Sequence, residues 1–111
     1  MSPSIRPRTP EPSALFAALG DPTRLALVRR LSVEGALSVM ALTAGTRISR
    51  QAVTKHLDVL ARAGLVESER QGRERLWALA PLRIHEARRA LEQISREWDD
   101  ALGRLRTLVE R

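Results

Sequence analysis

The chain has 111 residues, a formal net charge of +6 and no cysteine. This length suits one compact domain, and the absence of thiols excludes disulfides, thiolate metal sites and cysteine nucleophiles. The positive charge favours a polyanionic partner such as nucleic acid, although an acidic membrane surface or an acidic protein would match it equally well. No apolar run has the length of a membrane span or a signal-peptide core, so we expect a cytoplasmic protein that does not bind membranes.

The first segment is rich in proline. Four of the six prolines fall within residues 1–12, and proline both fixes φ and removes a backbone donor. We therefore expect an N-terminal arm without helix or strand. It is either a disordered terminus or an arm that places Arg6 and Arg8 in a DNA minor groove. Residues 13–111 are predicted to form the folded domain.

Two helices are predicted next. The stretch "SALFAALG" is a short apolar helix that ends at Gly20. Asp21 is the predicted N-cap of a second helix, with Pro22 at its first position and Gly35 at its end. In this second helix the side chains predicted to face the core are Leu25, Leu27, Val28 and Leu31, and those predicted to be solvated are Arg24, Arg29 and Arg30.

Residues 37–64 have the pattern of a helix-turn-helix. A helix of about two turns is predicted within "LSVMALTAGTR", where Met40 fills the core and Gly45 breaks the helix. Ser49 is the predicted N-cap of a longer helix that follows. A short helix, a turn containing glycine and a longer helix in this order are typical of a helix-turn-helix.

The longer helix of this pair is amphipathic. Val53, Leu57 and Leu60 follow helical spacing and are predicted to be buried. The polar residues fall on other faces and are mostly basic or amide in the first turns: Arg50, Gln51, Thr54, Lys55, Asp58 and Arg62.

A β-hairpin is predicted over residues 65–80. Apolar and polar residues alternate on both sides of a turn signal at Gln71-Gly72. The tip carries Arg70, Arg73 and Arg75, so basic side chains gather at the turn.

The last segment, residues 82–110, is predicted to be one long helix. Its apolar residues follow alternating three- and four-residue spacing, which is typical of a helix that packs along another helix. These residues are Ile84, Ala87, Leu91, Ile94, Trp98, Ala101, Leu105 and Leu108. Gly103 predicts a bend or fraying. Trp98 is interpreted as a packing residue, with the wall of a ligand pocket as the alternative.

The predicted fold is mainly α with a small β-hairpin. The stretches "ALGDPTRLALVRRL" and "SRQAVTKHLDVLARAGLVESERQGRERLWAL", with the long closing helix, resemble the ArsR/SmtB family of dimeric winged-helix transcriptional repressors over residues 13–109. The resemblance implies a homodimer whose first and last helices pair between subunits, with the hairpins as wings along the DNA backbone. Two recognition helices then enter successive major grooves about 34–36 Å apart, which requires a near-palindromic operator.

The DNA-binding residues predicted on this basis are Arg47, Ser49, Arg50, Gln51, Thr54, Lys55, His56, Arg70, Arg73 and Arg75. Arg50 and Gln51 are the predicted base contacts, because arginine pairs with guanine and glutamine with adenine. Lys55 and the arginines of the hairpin are predicted to bind phosphates. His56 is interpreted as a capping or phosphate-contacting residue, and no partner for it is evident in the sequence.

The dimer interface is predicted to consist of apolar side chains from the first and last helices. These are Leu15, Phe16, Leu19, Ile84, Ala87, Leu91, Ile94, Trp98, Leu102 and Leu105. A different class of function stays open, in which the long helix binds another protein and the basic helix is incidental. A small-molecule-responsive member of the same family is a further alternative, and the inducing signal is not predicted.

Metal sensing is not expected, although it is common in the family. The family's thiolate site has Cys-x-Cys before the turn, where this chain is matched by Ser38 and Met40. A second site in the family uses Asp-x-His and His-x-x-Glu on the last helix, but here Arg83 precedes His85 and no second histidine follows. A lone histidine does not supply the three or four ligands of a zinc site. We also expect no cofactor and no enzymatic activity, because no catalytic carboxylate pair, triad or phosphate loop is present.

Overall fold

The computed structural model describes residues 11–110. This part of the chain is mostly helical with a small sheet, as predicted. In chain order the elements are α1 (Pro12–Leu19), α2 (Pro22–Glu34), β1 (Leu37–Ser38), α3 (Val39–Ala44), α4 (Arg50–Arg62), β2 (Val66–Gln71), β3 (Glu74–Leu79) and α5 (Pro81–Val109). Residues 1–10 of the predicted arm, with Arg6 and Arg8, lie outside the described residues. Glu11 is the N-cap of α1 and Pro12 is its first residue, so the expectation of an arm without helix is wrong at Pro12.

Serine and aspartate side chains begin three of the helices. Asp21 accepts the Arg24 backbone N–H at 3.0 Å, and Ser49 accepts that of Ala52 at 3.1 Å. Both predicted N-caps are therefore confirmed. Ser38 caps α3 in the same way, and this cap was not predicted from the sequence. Each cap satisfies a backbone donor that has no partner inside its helix.

The sheet has three antiparallel strands in the order β1-β3-β2. The predicted hairpin is confirmed as β2 and β3, and we call it the wing. Gly72, with φ of +62°, occupies the tight turn of the wing, where glycine has no steric penalty. Strand β1 was not predicted. It pairs Ser38 with Leu76 of β3, so the beginning of α3 lies beside the wing.

The core lies where α1, α2, α3 and α4 meet the sheet and the beginning of α5. The buried stripe predicted for α4 is confirmed, since Val53, Leu57 and Leu60 are fully buried. Each large side chain removed from water contributes about 1.5–3 kcal/mol. The other fully buried large side chains are Leu15, Leu27, Leu42 and Leu65. Helix α4 is thus fixed to the domain along its apolar face.

Two predicted core residues are exposed instead. Leu25 is 43% exposed and Met40 is 63% exposed. Each residue of an α-helix turns by about 100°, so Leu25 points away from buried Leu27 and Met40 points away from buried Leu42. The prediction that Arg24 and Arg30 are fully solvated is also wrong, because both are partly buried.

Helix α5 has 29 residues and continues through Gly103, where a bend or fraying was predicted, so the helix does not fray there. Its beginning packs on the core, with Ala87 buried and Ile84 partly buried. Further along, the apolar residues of the predicted stripe are largely exposed, and Trp98 is 67% exposed. Among residues 11–110, no helix combines the length and the apolar character needed to cross a membrane.

Candidate nucleic-acid interface

The exposed face of α4 carries four polar side chains around a shallow groove. Arg50, Gln51, Thr54 and Lys55 line this groove together, as the helical spacing predicted. The Thr54 hydroxyl donates to the Arg50 carbonyl oxygen at 2.9 Å, which leaves the hydroxyl oxygen free to accept. The first turns of α4 therefore present a guanidinium, an amide, a hydroxyl and an ammonium group to solvent.

A second depression lies between the wing, the beginning of α3 and the beginning of α4, and we call it the wing cleft. Its lining residues are Ser38, Val39, Met40, Arg50, Arg73, Glu74 and Arg75. Arg50 borders both depressions. Arg75 also donates to the Ser68 hydroxyl at 3.1 Å, which fixes its guanidinium along the wing. The predicted site residues Arg47 and Arg70 are exposed but line neither depression.

His56 lies on α4 but contacts α2. Its Nδ1 atom is 3.5 Å from Arg24 Nη1 and 3.9 Å from an Asp21 carboxylate oxygen. The backbone N–H of Arg24, which Asp21 accepts, is the main cause that lowers the pKa of this carboxyl group. Arg24 Nε also donates to the Ala18 carbonyl oxygen at 2.6 Å. His56 thus has partners that the sequence did not reveal, and they join α4 to the corner between α1 and α2.

Arg30 fixes the first helix of the helix-turn-helix. Its Nη1 donates to the carbonyl oxygens of Ala41 and Leu42 in α3 at 3.1 and 3.2 Å. Its Nε and Nη2 donate to the Glu34 carboxylate at 2.9 and 3.4 Å. The hydrogen bond between these two side chains raises the pKa of Arg30 and lowers that of Glu34. Only the i,i+4 spacing of Arg30 and Glu34 was visible in the sequence.

The residues at the family's metal positions do not fit a metal. Ser38 uses its hydroxyl oxygen to cap α3, Met40 faces the wing cleft, and His85 is exposed on α5. Within residues 11–110, no group of three or more His, Cys, Asp or Glu side chains is gathered closely enough to hold an ion. Neither the thiolate set nor the histidine–carboxylate set of the family can be assembled from these residues.

The predicted dimer residues fall into three groups. Leu15 and Ala87 are buried in the core of the single chain, so we no longer assign them to a surface. Phe16, Leu19, Ile84 and Ile94 are partly buried, and the first three pack against the core. The exposed group consists of Leu91, Trp98, Leu102 and Leu105. We call this exposed group the α5 seam.

Comparison with known proteins matches this chain to transcriptional regulators. The family profile described as a helix-turn-helix domain matches residues 19–69. The HTH-type transcriptional repressor SmtB of Mycobacterium tuberculosis is 35% identical over 88 residues, which cover 79% of this chain and 63% of that protein. The solved structure of an ArsR-like transcriptional regulator from Rhodococcus sp. RHA1 is similar with a TM-score of 0.70 and 35% identity, covering 87% of this chain and 91% of that one. The chain belongs to the ArsR/SmtB family.

The fold of this ArsR/SmtB protein is a winged helix-turn-helix. A solution structure from Mycobacterium bovis, described as a homodimeric winged helix-turn-helix DNA-binding domain, is similar with a TM-score of 0.62 and 24% identity, covering 77% of each chain. In this fold α3 and α4 are the helix-turn-helix, and β2 and β3 are the wing. The family consists of transcriptional regulators, which are not enzymes. The protein is therefore a DNA-binding regulator, as its sequence predicted.

Proposed function

We propose that this ArsR/SmtB protein is a sequence-specific repressor that binds a near-palindromic operator as a homodimer. The observation that carries the proposal is the exposed polar groove at the beginning of α4, formed around Arg50 and Gln51. In helix-turn-helix proteins the first residues of the recognition helix contact base edges in the major groove. Glutamine pairs with adenine and arginine with guanine in a bidentate manner, so these side chains suit base recognition.

The other basic side chains are assigned to the phosphate backbone. Lys55 lies one turn further along α4, and Arg73 and Arg75 lie at the wing. Exposed Arg47 and Arg70 are assigned to flanking phosphates, where position matters less than charge. We reassign His56 from DNA contact to support of α4, because its Nδ1 atom faces Arg24 of α2 and Asp21, the N-cap of α2.

The homodimer is supported by the α5 seam. Leaving side chains such as Leu91 and Trp98 in water costs about 1.5–3 kcal/mol for each large apolar residue. A second copy packed along α5 would bury both seams at once, as a two-fold symmetric interface does. The similar Mycobacterium bovis domain is described as homodimeric. A symmetric dimer presents two copies of α4, which calls for two related half-sites.

Repression is supported by the relative SmtB, which is named a transcriptional repressor. A dimer whose two recognition helices occupy successive major grooves covers the DNA between them, and bound to a promoter it would exclude RNA polymerase. Regulation would then follow from occupancy of the operator alone.

Selection of DNA duplexes from a random pool tests the proposal. We expect the purified protein to enrich one inverted repeat with half-sites about one helical turn apart, and its affinity to fall with rising salt. The Arg29→Ala variant, which removes an exposed arginine of α2 outside both depressions, should enrich the same sequence. A protein-interaction module would show little affinity for DNA, and enrichment of no sequence would refute the proposal.

A further inference from the structure

The wing cleft combines positive charge with an apolar wall. Arg50 from α4 and Arg73 and Arg75 from the wing line it, and Glu74 is the acidic side chain among its lining residues. Each guanidinium has five N–H donors and no acceptor. Arg75 uses one of these N–H groups in its hydrogen bond to the Ser68 hydroxyl. Most N–H donors around the cleft are therefore available to bind an anion. The net charge of the lining side chains is positive and suits a phosphate.

The fold itself builds this cleft. Pairing of Ser38 with Leu76 places β1 beside the wing, and Val39 and Met40 follow directly at the beginning of α3. Ser49 ends the turn and begins α4, so Arg50 is the first residue of a 13-residue helix. The positive end of the helix dipole adds to the charge of the Arg50 side chain. Three separate elements thus converge on one depression.

Met40 gives the cleft its apolar wall. It is 63% exposed beside the arginines, although its neighbour Leu42 is fully buried. A free inorganic anion gains nothing from a thioether and an aliphatic wall. The backbone of DNA differs, because each charged phosphate is joined to a deoxyribose with apolar carbon atoms. A cleft lined both by guanidinium groups and by Met40 and Val39 matches this alternation.

We propose that the wing cleft seats one phosphodiester group of the bound DNA strand together with its adjoining deoxyribose. Arg73 and Arg75 bind the phosphate from the wing, and Met40 packs on the sugar. Arg50 borders both this cleft and the groove where the bases are contacted, so its positive charge lies beside the phosphate while its guanidinium is assigned to a base. This inference rests on the proposed DNA binding, and it adds α3 to the DNA interface through a residue that the sequence assigned to the core.

The test uses the duplex recovered by selection, with single phosphates replaced in turn by neutral methylphosphonates in one half-site. Affinities of the full-length wild type and of Arg73→Ala are measured for each duplex. We expect one position where the replacement weakens wild-type binding about tenfold but weakens the Arg73→Ala variant less than about twofold, because the interaction is already lost. At that position the methylphosphonate should weaken binding of the Arg29→Ala variant as much as it weakens binding of the wild type.

A second pair of variants tests the contribution of α3. Met40→Gln and Met40→Glu are similar in size, and only the second places a carboxylate beside the proposed phosphate. We expect Met40→Glu to bind the selected and scrambled duplexes at least about tenfold more weakly than Met40→Gln. Both variants should keep the wild-type thermal unfolding midpoint, since Met40 is exposed.

The outcomes separate the two proposals. The unmodified duplex could bind with salt-dependent affinity while every methylphosphonate weakens the wild type and Arg73→Ala equally. That result would refute the phosphate seat and leave DNA binding intact. Equal affinities of Met40→Gln and Met40→Glu would refute the role of α3. Competition by millimolar inorganic phosphate at constant ionic strength would identify a site for a free anion and overturn the assignment to DNA. Absence of salt-dependent DNA binding by the wild type would refute the proposed function itself.

Discussion

A Cβ atom placed on Gly45 would lie 2.5 Å from Nη1 of Arg30. This nitrogen lies close to the backbone of the turn because it donates to the carbonyl oxygens of Ala41 and Leu42. Those carbonyls belong to the last turn of α3, where an α-helix leaves acceptors without partners. Gly45 therefore allows a side chain of α2 to hold α3 in position next to the recognition helix.

Gly45→Ala should destabilise the protein. The methyl group displaces the Arg30 guanidinium and breaks its two bonds to α3. This loss exceeds the roughly 0.4–1 kcal/mol that alanine gains at the negative φ of Gly45, so we expect the free energy of unfolding to fall by about 1 kcal/mol. Gly103→Ala is the matched control, because a Cβ atom added at Gly103 in α5 would meet nothing within 4 Å. This control should raise the free energy of unfolding by about 0.5–1 kcal/mol. Urea denaturation measures both, and a Gly45→Ala variant as stable as the wild type would contradict the contact.

The Arg30–Glu34 pair should contribute to stability only above acidic pH. Arg30 lowers the pKa of Glu34 below its ordinary value of 4.5, so the contribution is fully present above about pH 4.5 and is lost as the pH falls through the folded-state pKa. The difference in urea midpoint between wild type and Glu34→Gln should be small, because both groups are partly exposed. It should shrink on acidification and in high salt, and a difference that grows below pH 4.5 would contradict this assignment.

Metal ions should not regulate the protein. Ser38 and Met40 offer no thiolate, and His85 stands alone on α5, so zinc, cadmium and arsenite should bind no better than to a histidine-bearing control protein. Isothermal titration calorimetry and DNA release in the presence of each ion measure this. A tight, stoichiometric metal that also lowers DNA affinity would refute the prediction.

Charges in the α5 seam should prevent dimer formation. Leu91→Glu combined with Trp98→Glu places two carboxylates where a second copy is proposed to pack, so we expect monomer or unfolded chain in sedimentation equilibrium. Val33→Glu is the control, since Val33 is 85% exposed on α2, outside the seam, and its variant should remain dimeric. A folded wild-type monomer at micromolar concentration would show that the seam has another role.

The sequence predicted those features that depend on local patterns. Asp21 and Ser49 indicated two helices because a short polar side chain before an apolar period is a capping signal. The helical spacing of Val53, Leu57 and Leu60 predicted the buried face of α4. The remaining faces of the helix were therefore predicted to carry the exposed polar side chains. The basic turn of the wing was equally visible, since Gly72 follows a run of alternating residues.

The features that were missed depend on contacts between distant segments. Strand β1 has two residues, too few to show an alternating pattern, and it exists only through its pairing with β3. Without β1 the direction of Met40 could not be inferred, so the wing cleft was not predicted. The contacts of His56 with Arg24 and of Arg30 with α3 join residues far apart in the chain. Sequence spacing carries no signal for such pairs.

The central claim is that the beginning of α4 recognises bases while the wing binds phosphates. Comparing Gln51→Ala with Arg73→Ala tests it most directly, by measuring each against the selected operator and a scrambled duplex over a salt series. Gln51→Ala should lose about 1–3 kcal/mol per half-site on the operator, relax the preference at one base pair and leave scrambled DNA unaffected. Arg73→Ala should weaken both duplexes about equally and reduce the log–log salt slope by about two units per symmetric dimer. If Gln51→Ala instead weakens both duplexes equally with an unchanged base preference, α4 does not recognise the sequence and the account is contradicted.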